Sequence, residues 1–343
     1  MSAASYTRDI ASLESARALA AGASARTGWL VEERYFWHDA GTEGKTSNVQ
    51  PRGAAESAES KRRLANLVSV SGVGDVLVNL RAEPVTDEML ERVHSRAWVD
   101  AVRAAGRSGG GWIGHELHIG PDGHEICELS AGGVVAAARA VARGDVDNAY
   151  ALVRPPGHHA ERDVGHGFCI FNNVAIAVEE MLLHGGLGCS TDAPRICVID
   201  IDVHHGNGTE SQFLARRDVL VISIHQDGLY PLGTGGVDVV GEGAGAGYNL
   251  NIPLPPGSGI GAYSAAMKRV IIPALRAFRP HMIFVSAGFD ASFLDPLGAC
   301  SRLLMRSAFT ALSHDPPTIS RRPHDANQCR LWDNDRRTSR SGR

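Results

Sequence analysis

The chain has 343 residues, of which 43% are hydrophobic and 21% are charged, and its formal net charge is −4. This composition is typical of a soluble globular protein and argues against wholesale disorder. It contains no apolar run long enough to cross a membrane, and the charge gives no reason to expect nucleic-acid binding. The length fits either two domains or one large α/β domain.

Two features of the sequence indicate the cellular compartment. Charged residues interrupt the first 25 residues, so the N-terminus lacks the apolar core of a secretory signal. The six cysteines form no C-x-x-C pair, which argues against a zinc knuckle or a redox dithiol. Free thiols in a chain of this size fit a reducing compartment, and we therefore expect a cytoplasmic protein.

Apolar residues spaced three or four apart, together with turn residues, predict the helices and loops. Residues 41–60 and the glycine-rich residues 106–124 are predicted to be loops. The predicted helices, in chain order, are Asp87–Ala105, Ser130–Arg143 with Gly144 as its terminating glycine, Asn173–His184 and Ala262–Phe278.

Three short runs are rich in β-branched residues and almost continuously apolar: Arg195–Val203, Asp218–His225 and His281–Gly288. This pattern is typical of strands that are buried on both faces. Helices between such strands imply a parallel sheet with right-handed crossovers. We therefore predict an α/β fold with a mostly parallel central sheet, flanked by helices, and a site at the carboxyl ends of the strands.

Acidic and imidazole side chains follow the first and third runs. Asp200, Asp202 and His204 alternate, so they share one side if the extended conformation continues, and Asp290 follows the third run. Neighbouring buried carboxylates are costly without a cation, and two aspartates with one histidine leave an open position, as a catalytic zinc site requires. The alternative is that a buried aspartate caps the next helix and His204 is merely paired with it.

Two further clusters accompany these residues. His158 and His159 lie in a Pro-Gly turn, where adjacent imidazoles suit proton transfer, although a plain surface turn is equally compatible. Residues 167–173, GFCIFNN, form the other cluster, and its alternative is a glycine turn followed by a helix N-terminus, with Phe168 in the core.

Six spaced motifs together resemble one family: RPPGHHA, GFCIFNN, VIDIDVHHGNGTE, SIHQDGLYP, NIPLPPGSG and SAGFDASFLDPLG. They resemble the histone deacetylase superfamily, specifically the bacterial class II histone deacetylase-like amidohydrolases, which are related to the acetylpolyamine amidohydrolases. The resemblance runs from about Trp29 to Gly298. It implies a single catalytic domain over residues 29–298, after an N-terminal extension over residues 1–28.

The resemblance also implies a role for each site residue. Asp202, His204 and Asp290 would bind one zinc ion. His158 and His159 would be the acid/base pair, with Asp200 bonded to His158 and Asn207 orienting His159; Asn207, where other branches have Asp, is itself the class II pattern. The remaining implied sites are a structural potassium site (Asp200, Ser223 and carbonyls near Asp202, His204 and Ile224) and a substrate tunnel (Gly167, Phe168 and Tyr230).

The C-terminal part departs from the family pattern. The family has a late E-G-G-Y motif whose tyrosine stabilises the oxyanion, but no tyrosine follows Tyr263 here. Residues 299–343 are arginine-rich and lack the apolar pattern of a further strand, so we predict that they are disordered. A shifted reading frame or damaged gene is the preferred explanation, and a genuine divergent C-terminus is the alternative.

The leading functional hypothesis is a zinc-dependent deacetylase acting on acetylated lysine in a peptide or protein, or on an acetylated small amine. A binuclear manganese hydrolase of the arginase type would favour a D-x-H-x-D order, which the segment after Asp200 does not show. The third hypothesis is a catalytically dead acyl-lysine binder that keeps the zinc and the tunnel. No nucleic-acid or membrane partner is expected, and homo-oligomer formation is left open.

Overall fold

A computed structural model describes residues 25–41, 56–114, 117–187, 193–292, 295 and 297. The strands are β1 (Thr27–Leu30), β2 (Val78–Asn79), β3 (Gly111–Gly114), β4 (Leu117–Ile119), β5 (Asn148–Ala151), β6 (Ile196–Asp200), β7 (Val219–Gln226), β8 (Asn249–Leu254) and β9 (Met282–Ser286). The helices are α1 (Ala58–Val70), α2 (Asp87–Val93), α3 (Arg96–Arg107), α4 (Gly123–Arg143), α5 (Asn173–His184), α6 (Asn207–Phe213), α7 (Ile260–Ala266) and α8 (Ile272–Phe278). The predicted C-terminal tail and most of the predicted N-terminal extension lie outside these residues.

The sheet that carries the site is parallel throughout, in the order β8-β7-β6-β9. Its register places Asp200 at the end of β6 opposite Ser223 of β7 and Ser286 of β9. Every residue of β6 and β7 is buried, as their continuous apolar runs predict. The predicted α/β fold with a mostly parallel sheet is therefore confirmed, and the three predicted strands form within one or a few residues of their predicted ends.

A second parallel sheet has the order β2-β1-β5, and β3 and β4 form an antiparallel hairpin. This hairpin corrects the prediction that residues 106–124 are a loop throughout. Leu117 and Ile119 are buried, while the ring of Trp112 meets the edge of the His118 ring at 5.2 Å between centroids. These contacts pack one side of the hairpin, although the glycine-rich composition of the segment favours a loop.

The helix predicted over Asp87–Ala105 is two helices, because the chain breaks at His94 and Ser95. His94 has an extended backbone (φ −106°, ψ 153°), and the Ser95 hydroxyl accepts a bond from the Trp98 amide and caps α3. The apolar spacing is compatible with one helix, but the buried imidazole of His94 binds backbone on another loop and requires the break.

The other predicted helices are confirmed, with changes at their ends. Helix α4 begins seven residues before Ser130, at Gly123, and ends at Gly144 in the left-handed conformation (φ 76°) that favours glycine. Helix α5 has the predicted bounds. The predicted helix Ala262–Phe278 forms as α7 and α8, joined by a π-helical turn over Met267–Ile271. No described helix combines the length and apolar character needed to cross a membrane.

Alternate residues of β6 and β7 serve opposite faces of the sheet. Val198 and Val221 belong to a core shared with α4 and α5, whereas Ile199 and Ile222 pack with side chains of the α7–α8 segment. This three-layer arrangement buries β6 and β7 on both faces, and polar residues follow the carboxyl ends of the strands.

Helix α4 approaches the segment before α2 very closely at Gly132. A Cβ at this position would lie 1.7 Å from the backbone oxygen of Glu83. Because both atoms belong to or are fixed by the backbone, a rotation of side chains could not relieve the clash. Gly261 in α7 is the contrasting case, because a Cβ there would meet no atom within 4 Å.

We therefore expect Gly132→Ala to lower the free energy of unfolding by roughly 1–3 kcal/mol through overpacking. Gly261→Ala should leave it unchanged or raise it slightly, because alanine favours the helix. Urea unfolding followed by circular dichroism measures both variants. Equal stability of the two would contradict the tight contact at Gly132.

Candidate functional site

The site lies where β6 and β9 end. Strand β6 ends at Asp200, and the bends that follow carry Asp202 and His204, while Asp290 follows β9. The strict alternation assumed from the sequence therefore stops at Asp200. The three later residues converge instead through the turn, and one ligand atom from each lies within 4.8 Å of the others.

Hydrogen bonds hold these three side chains in place. The Nδ1 atom of His204 lies 2.9 Å from Oδ1 of Asp202 and 2.9 Å from Oδ2 of Asp290. The amide of Val203 donates to Oδ1 of Asp290, and the amide of His204 donates to Oδ1 of Asp202. A Cβ on Gly288 would lie 1.8 Å from Oδ2 of Asp202, so this close approach of β9 requires glycine.

The charges of this group are unbalanced, which suits a cation. Burial and the neighbouring Asp202 raise the pKa of Asp290 above its usual value. Burial opposes the charged form of His204, but its bonds to Asp202 and Asp290 overcome this and raise its pKa to about 10. Two carboxylates facing one imidazole thus favour the binding of a positive charge. Their two oxygens and one nitrogen form a ligand set that zinc accepts.

The tandem histidines lie beside this group, with ring centroids 3.9 Å apart. The Nδ1 atom of His158 lies 2.9 Å from Oδ2 of Asp200, and its Nε2 atom lies 3.8 Å from Oδ2 of Asp202. Burial would lower the pKa of His158, but Asp200 and Asp202 outweigh it and raise that pKa to about 9. Burial and the charge of His158 hold the pKa of His159 well below its usual value.

The predicted partner of His159 is also in place. Asn207, the first residue of α6, accepts a bond at Oδ1 from Nδ1 of His159 at 2.8 Å. Two residues that sequence reasoning missed, Glu161 and His166, contact the other side of the same amide. The only sequence signal for them is their position between RPPGHHA and GFCIFNN.

The predicted tunnel residues surround the histidines unevenly. The ring of Tyr230 stands edge-on to His159, with centroids 5.1 Å apart. Gly167 has φ +56°, and a Cβ there would lie 2.3 Å from the ring of His159 and 3.0 Å from that of Tyr230. Phe168 is half-buried rather than in the core, with φ +65°. Gly167 and the ring of Tyr230 therefore both lie against His159, and Gly167 and Phe168 share a bend of left-handed backbone.

The residues predicted around a potassium ion are brought together only in part. Asp200 and Ser223 are buried register partners on β6 and β7, and Ile224 is the next residue of β7. The Ser223 hydroxyl lies 2.9 Å from Nδ1 of His225. Oδ1 of Asp200 accepts from the amide of Asp202. The potassium site remains a prediction.

His94, at the break between α2 and α3, ties the segments of the site together. Its Nδ1 lies 2.8 Å from the backbone oxygen of Glu161, and its Nε2 accepts from the amide of Asn172 at 2.9 Å. Because the amide can only donate, the other ring nitrogen carries the proton and the imidazole is neutral. Burial lowers the pKa of His94 to about 4, in agreement with this arrangement.

Three comparisons connect this geometry with known proteins. A family model described as the histone deacetylase domain matches residues 55–313. The chain is 45% identical over 301 residues to the histone deacetylase-like amidohydrolase of Pseudomonas aeruginosa, covering 84% of this chain and 77% of that protein. It is 44% identical over 247 residues to a probable deacetylase of Methanothermobacter thermautotrophicus, covering 71% of each. The crystal structure of the HDA15 HD domain matches with a TM-score of 0.73 at 33% identity, over 81% of this chain and 76% of that one.

The lowered pKa of His94 predicts a dependence of stability on pH. Between its ordinary value near 6.5 and about 4, the unfolded chain binds a proton that the folded imidazole refuses, so acidification favours unfolding. His94→Gln cannot titrate and should lose stability at pH 7.5. That deficit relative to the parent chain should shrink by roughly 2 kcal/mol at pH 5. Urea unfolding at both pH values measures the difference, and parallel pH curves for the two proteins would contradict the neutral buried imidazole.

Proposed function

Because the chain belongs to the histone deacetylase family, we propose that it is a zinc-dependent amidohydrolase that removes acetyl or other short acyl groups. The observation that carries the proposal is the convergence of Asp202, His204 and Asp290 beside two histidines with different partners. Its substrates would be acetyl-lysine in a peptide or protein, or an acetylated small amine. Three buried free cysteines, Cys127, Cys169 and Cys197, support a cytoplasmic location.

Asp202, His204 and Asp290 would hold the zinc ion, and their donor set fits it. When bound there, zinc would polarise the scissile carbonyl and acidify water at its open position. Asp200 and Ser223 would contribute to a separate structural potassium site. One metal ion per chain at the catalytic centre distinguishes this proposal from a binuclear manganese hydrolase.

The two histidines would divide the proton transfers between them. His159 donates a hydrogen bond from its Nδ1–H to the side-chain Oδ1 of Asn207, so its Nε2 is free to accept a proton from the attacking water. His158 is paired with the carboxylate of Asp200, which stabilises a charged imidazole. His158 is therefore suited to donate the proton that the leaving amine needs.

The bend at Gly167 and Phe168, together with the ring of Tyr230, would guide the substrate. The ring of Tyr230 and the close backbone of Gly167 would narrow the approach to His159. Aromatic walls suit the apolar four-carbon stem of an acylated lysine or amine. The uncharged acyl-amide head group then meets the polar edge of the sheet.

Turnover by this chain is expected to be weak. The sequence has no tyrosine after Tyr263, whereas the family motif supplies one as an oxyanion donor. Losing one such donor typically costs about 10²–10³ in rate. This sequence feature also supports a second candidate function, a catalytically dead protein that binds acyl-lysine through the zinc and the tunnel.

The metal assignment predicts which variants lose zinc. Asp202→Ala and His204→Ala should each lose most of the metal, because each removes a ligand of a three-ligand set. His158→Ala and His159→Ala should retain about one equivalent, since neither is a ligand in a three-residue site. Elemental analysis after dialysis measures the content. Full zinc in both ligand variants, or loss of zinc in either histidine variant, would contradict the assignment.

The activity is tested by hydrolysis of a fluorogenic acetyl-lysine peptide. A second version of the chain, with a family-like E-G-G-Y segment and final strand in place of residues 299–343, should hydrolyse the peptide about 10²–10³ times faster. His159→Ala in that version should abolish hydrolysis. Comparable rates from both versions would contradict a role for the missing tyrosine. Binding of a fluorescent hydroxamate without turnover by either version would favour the second candidate function.

A further inference from the structure

The orientation of the Asn207 amide decides whether His159 can act as a base. A carboxylate would accept the Nδ1 proton of His159 with either oxygen, but an amide has one accepting end and one donating end. If the amide turned over, its NH₂ group would face Nδ1 and force the imidazole proton onto Nε2. The atom proposed to accept the proton from water would then already carry one.

The carboxylate of Glu161 opposes this reversal. Its Oε1 accepts a bond from Nδ2 of Asn207 at 2.7 Å, and an ionised carboxylate can only accept. Nδ2 therefore faces Glu161, and Oδ1 is left for His159 at 2.8 Å. A carboxylate partner also makes the bond stronger than a neutral acceptor would.

His166 lies on the same side of the Asn207 amide as Glu161. Its Nε2 lies 3.2 Å from Nδ2 of Asn207, and its Nδ1 lies 3.2 Å from the hydroxyl of Tyr230. The same Nε2 lies 3.4 Å from Oε1 of Glu161, so it faces both the amide and the carboxylate. His166 links the tunnel wall to the amide, but an imidazole can exchange tautomers and fixes the amide less firmly than the carboxylate does.

The loop that carries Glu161 is anchored on both sides. The Glu161 amide donates to the backbone oxygen of Val164 at 2.9 Å, and its own oxygen lies 2.8 Å from Nδ1 of the buried His94. The amide of Ser95 donates to the backbone oxygen of Arg162 at 2.9 Å. These bonds hold the carboxylate at the amide although its side chain is 40% exposed.

We propose that Glu161 is a positioning residue that fixes the amide of Asn207 and, through it, the tautomer of His159. The consequence for catalysis rests on the proposed function, whereas the consequence for the tautomer does not. Glu161 is thus the counterpart that asparagine requires at position 207. A carboxylate at that position would not need it and would be repelled by it.

The test is a double-mutant cycle on the full-length, zinc-loaded chain, read by ¹⁵N NMR of labelled histidines. The His159 signals are assigned as those missing from His159→Gln. In the parent chain we expect the proton on Nδ1. In Glu161→Gln, the new amide can present either its oxygen or its NH₂ group to Asn207, so the Nε2–H form of His159 should appear beside the Nδ1–H form. Glu161→Leu offers Asn207 no acceptor and should also populate the Nε2–H form.

The second set of variants replaces Asn207, the hydrogen-bond partner of His159. Asn207→Asp alone places two carboxylates in contact and should perturb the pair. Adding Asn207→Asp to Glu161→Gln should restore the Nδ1–H form, because both oxygens then accept. Glu242→Gln, a change at an exposed glutamate in the segment between β7 and β8, is the matched control and should alter neither the tautomer nor the fold.

Turnover gives the second readout. Glu161→Gln should lower kcat about tenfold with little change in KM, and Asn207→Asp should recover most of that loss, as expected for one charge-assisted bond. An unchanged His159 tautomer in both Glu161 variants, or no recovery in the double variant, would overturn the proposal. If the parent chain hydrolyses nothing, the proposed function fails and the NMR arm still decides the role of Glu161. An active chain with an unmoved tautomer would reject only the role of Glu161.

Discussion

The packing of acidic side chains at the ends of buried strands is the constraint on which the site depends. Asp200, Asp202 and Asp290 lie at one edge of a parallel sheet whose central strands are buried on both faces. Carboxylates taken out of water must find opposite charge or hydrogen-bond donors. Backbone amides satisfy part of this need, since those of Asp202, Val203 and His204 each donate to one of these carboxylates. The rest falls to His158, to His204 and, in the proposed holoenzyme, to the metal.

Different partners make two neighbouring histidines unlike each other. His158 and His159 share a turn and a ring contact of 3.9 Å, yet one is paired with a carboxylate and the other with an amide. The carboxylate raises the pKa of His158 to about 9, while burial and the positive neighbour hold that of His159 low. The pair can therefore keep one charged and one neutral imidazole side by side. Environment, rather than residue type, assigns the roles.

An element of this fold could be predicted from the sequence when it depends on neighbouring residues, and could not when it depends on contacts with distant residues. Strands β6 and β7 were predictable because burial on both faces leaves a continuous apolar run, and β9 carries such a run although only Met282 in it is fully buried. Helix α5 was predictable because an apolar stripe with a cap leaves an equally strong local pattern. The break at His94 was not, because it depends on bonds to Glu161 and Asn172, which are 67 and 78 residues away. Strand β8 was missed because Asn249, Asn251 and Pro253 interrupt its apolar run.

The site shows the same division. The motifs marked Asp202, His204, Asp290 and the tandem histidines, because each lies in a dense group of unusual residues directly after a strand or turn. Glu161 and His166 stand among ordinary polar loop residues, and nothing in their local pattern distinguishes them from a solvated turn. Only the folded geometry shows that both face one amide.

The metal-binding and proton-transfer parts of the site are held by different contacts. Asp202, His204 and Asp290 depend on β6, β9 and the close approach at Gly288. The turn with His158 and His159 is held by helices α4 and α5. Ser130 of α4 and Asn173 of α5 both donate to the backbone oxygen of Pro155. The contacts at Pro155 can therefore be lost without removing Asp202, His204 or Asp290, although His158 also bonds to Asp200 at the end of β6. A chain of this kind can keep the charges that attract a cation while losing turnover, which is why metal binding and hydrolysis must be measured as separate properties.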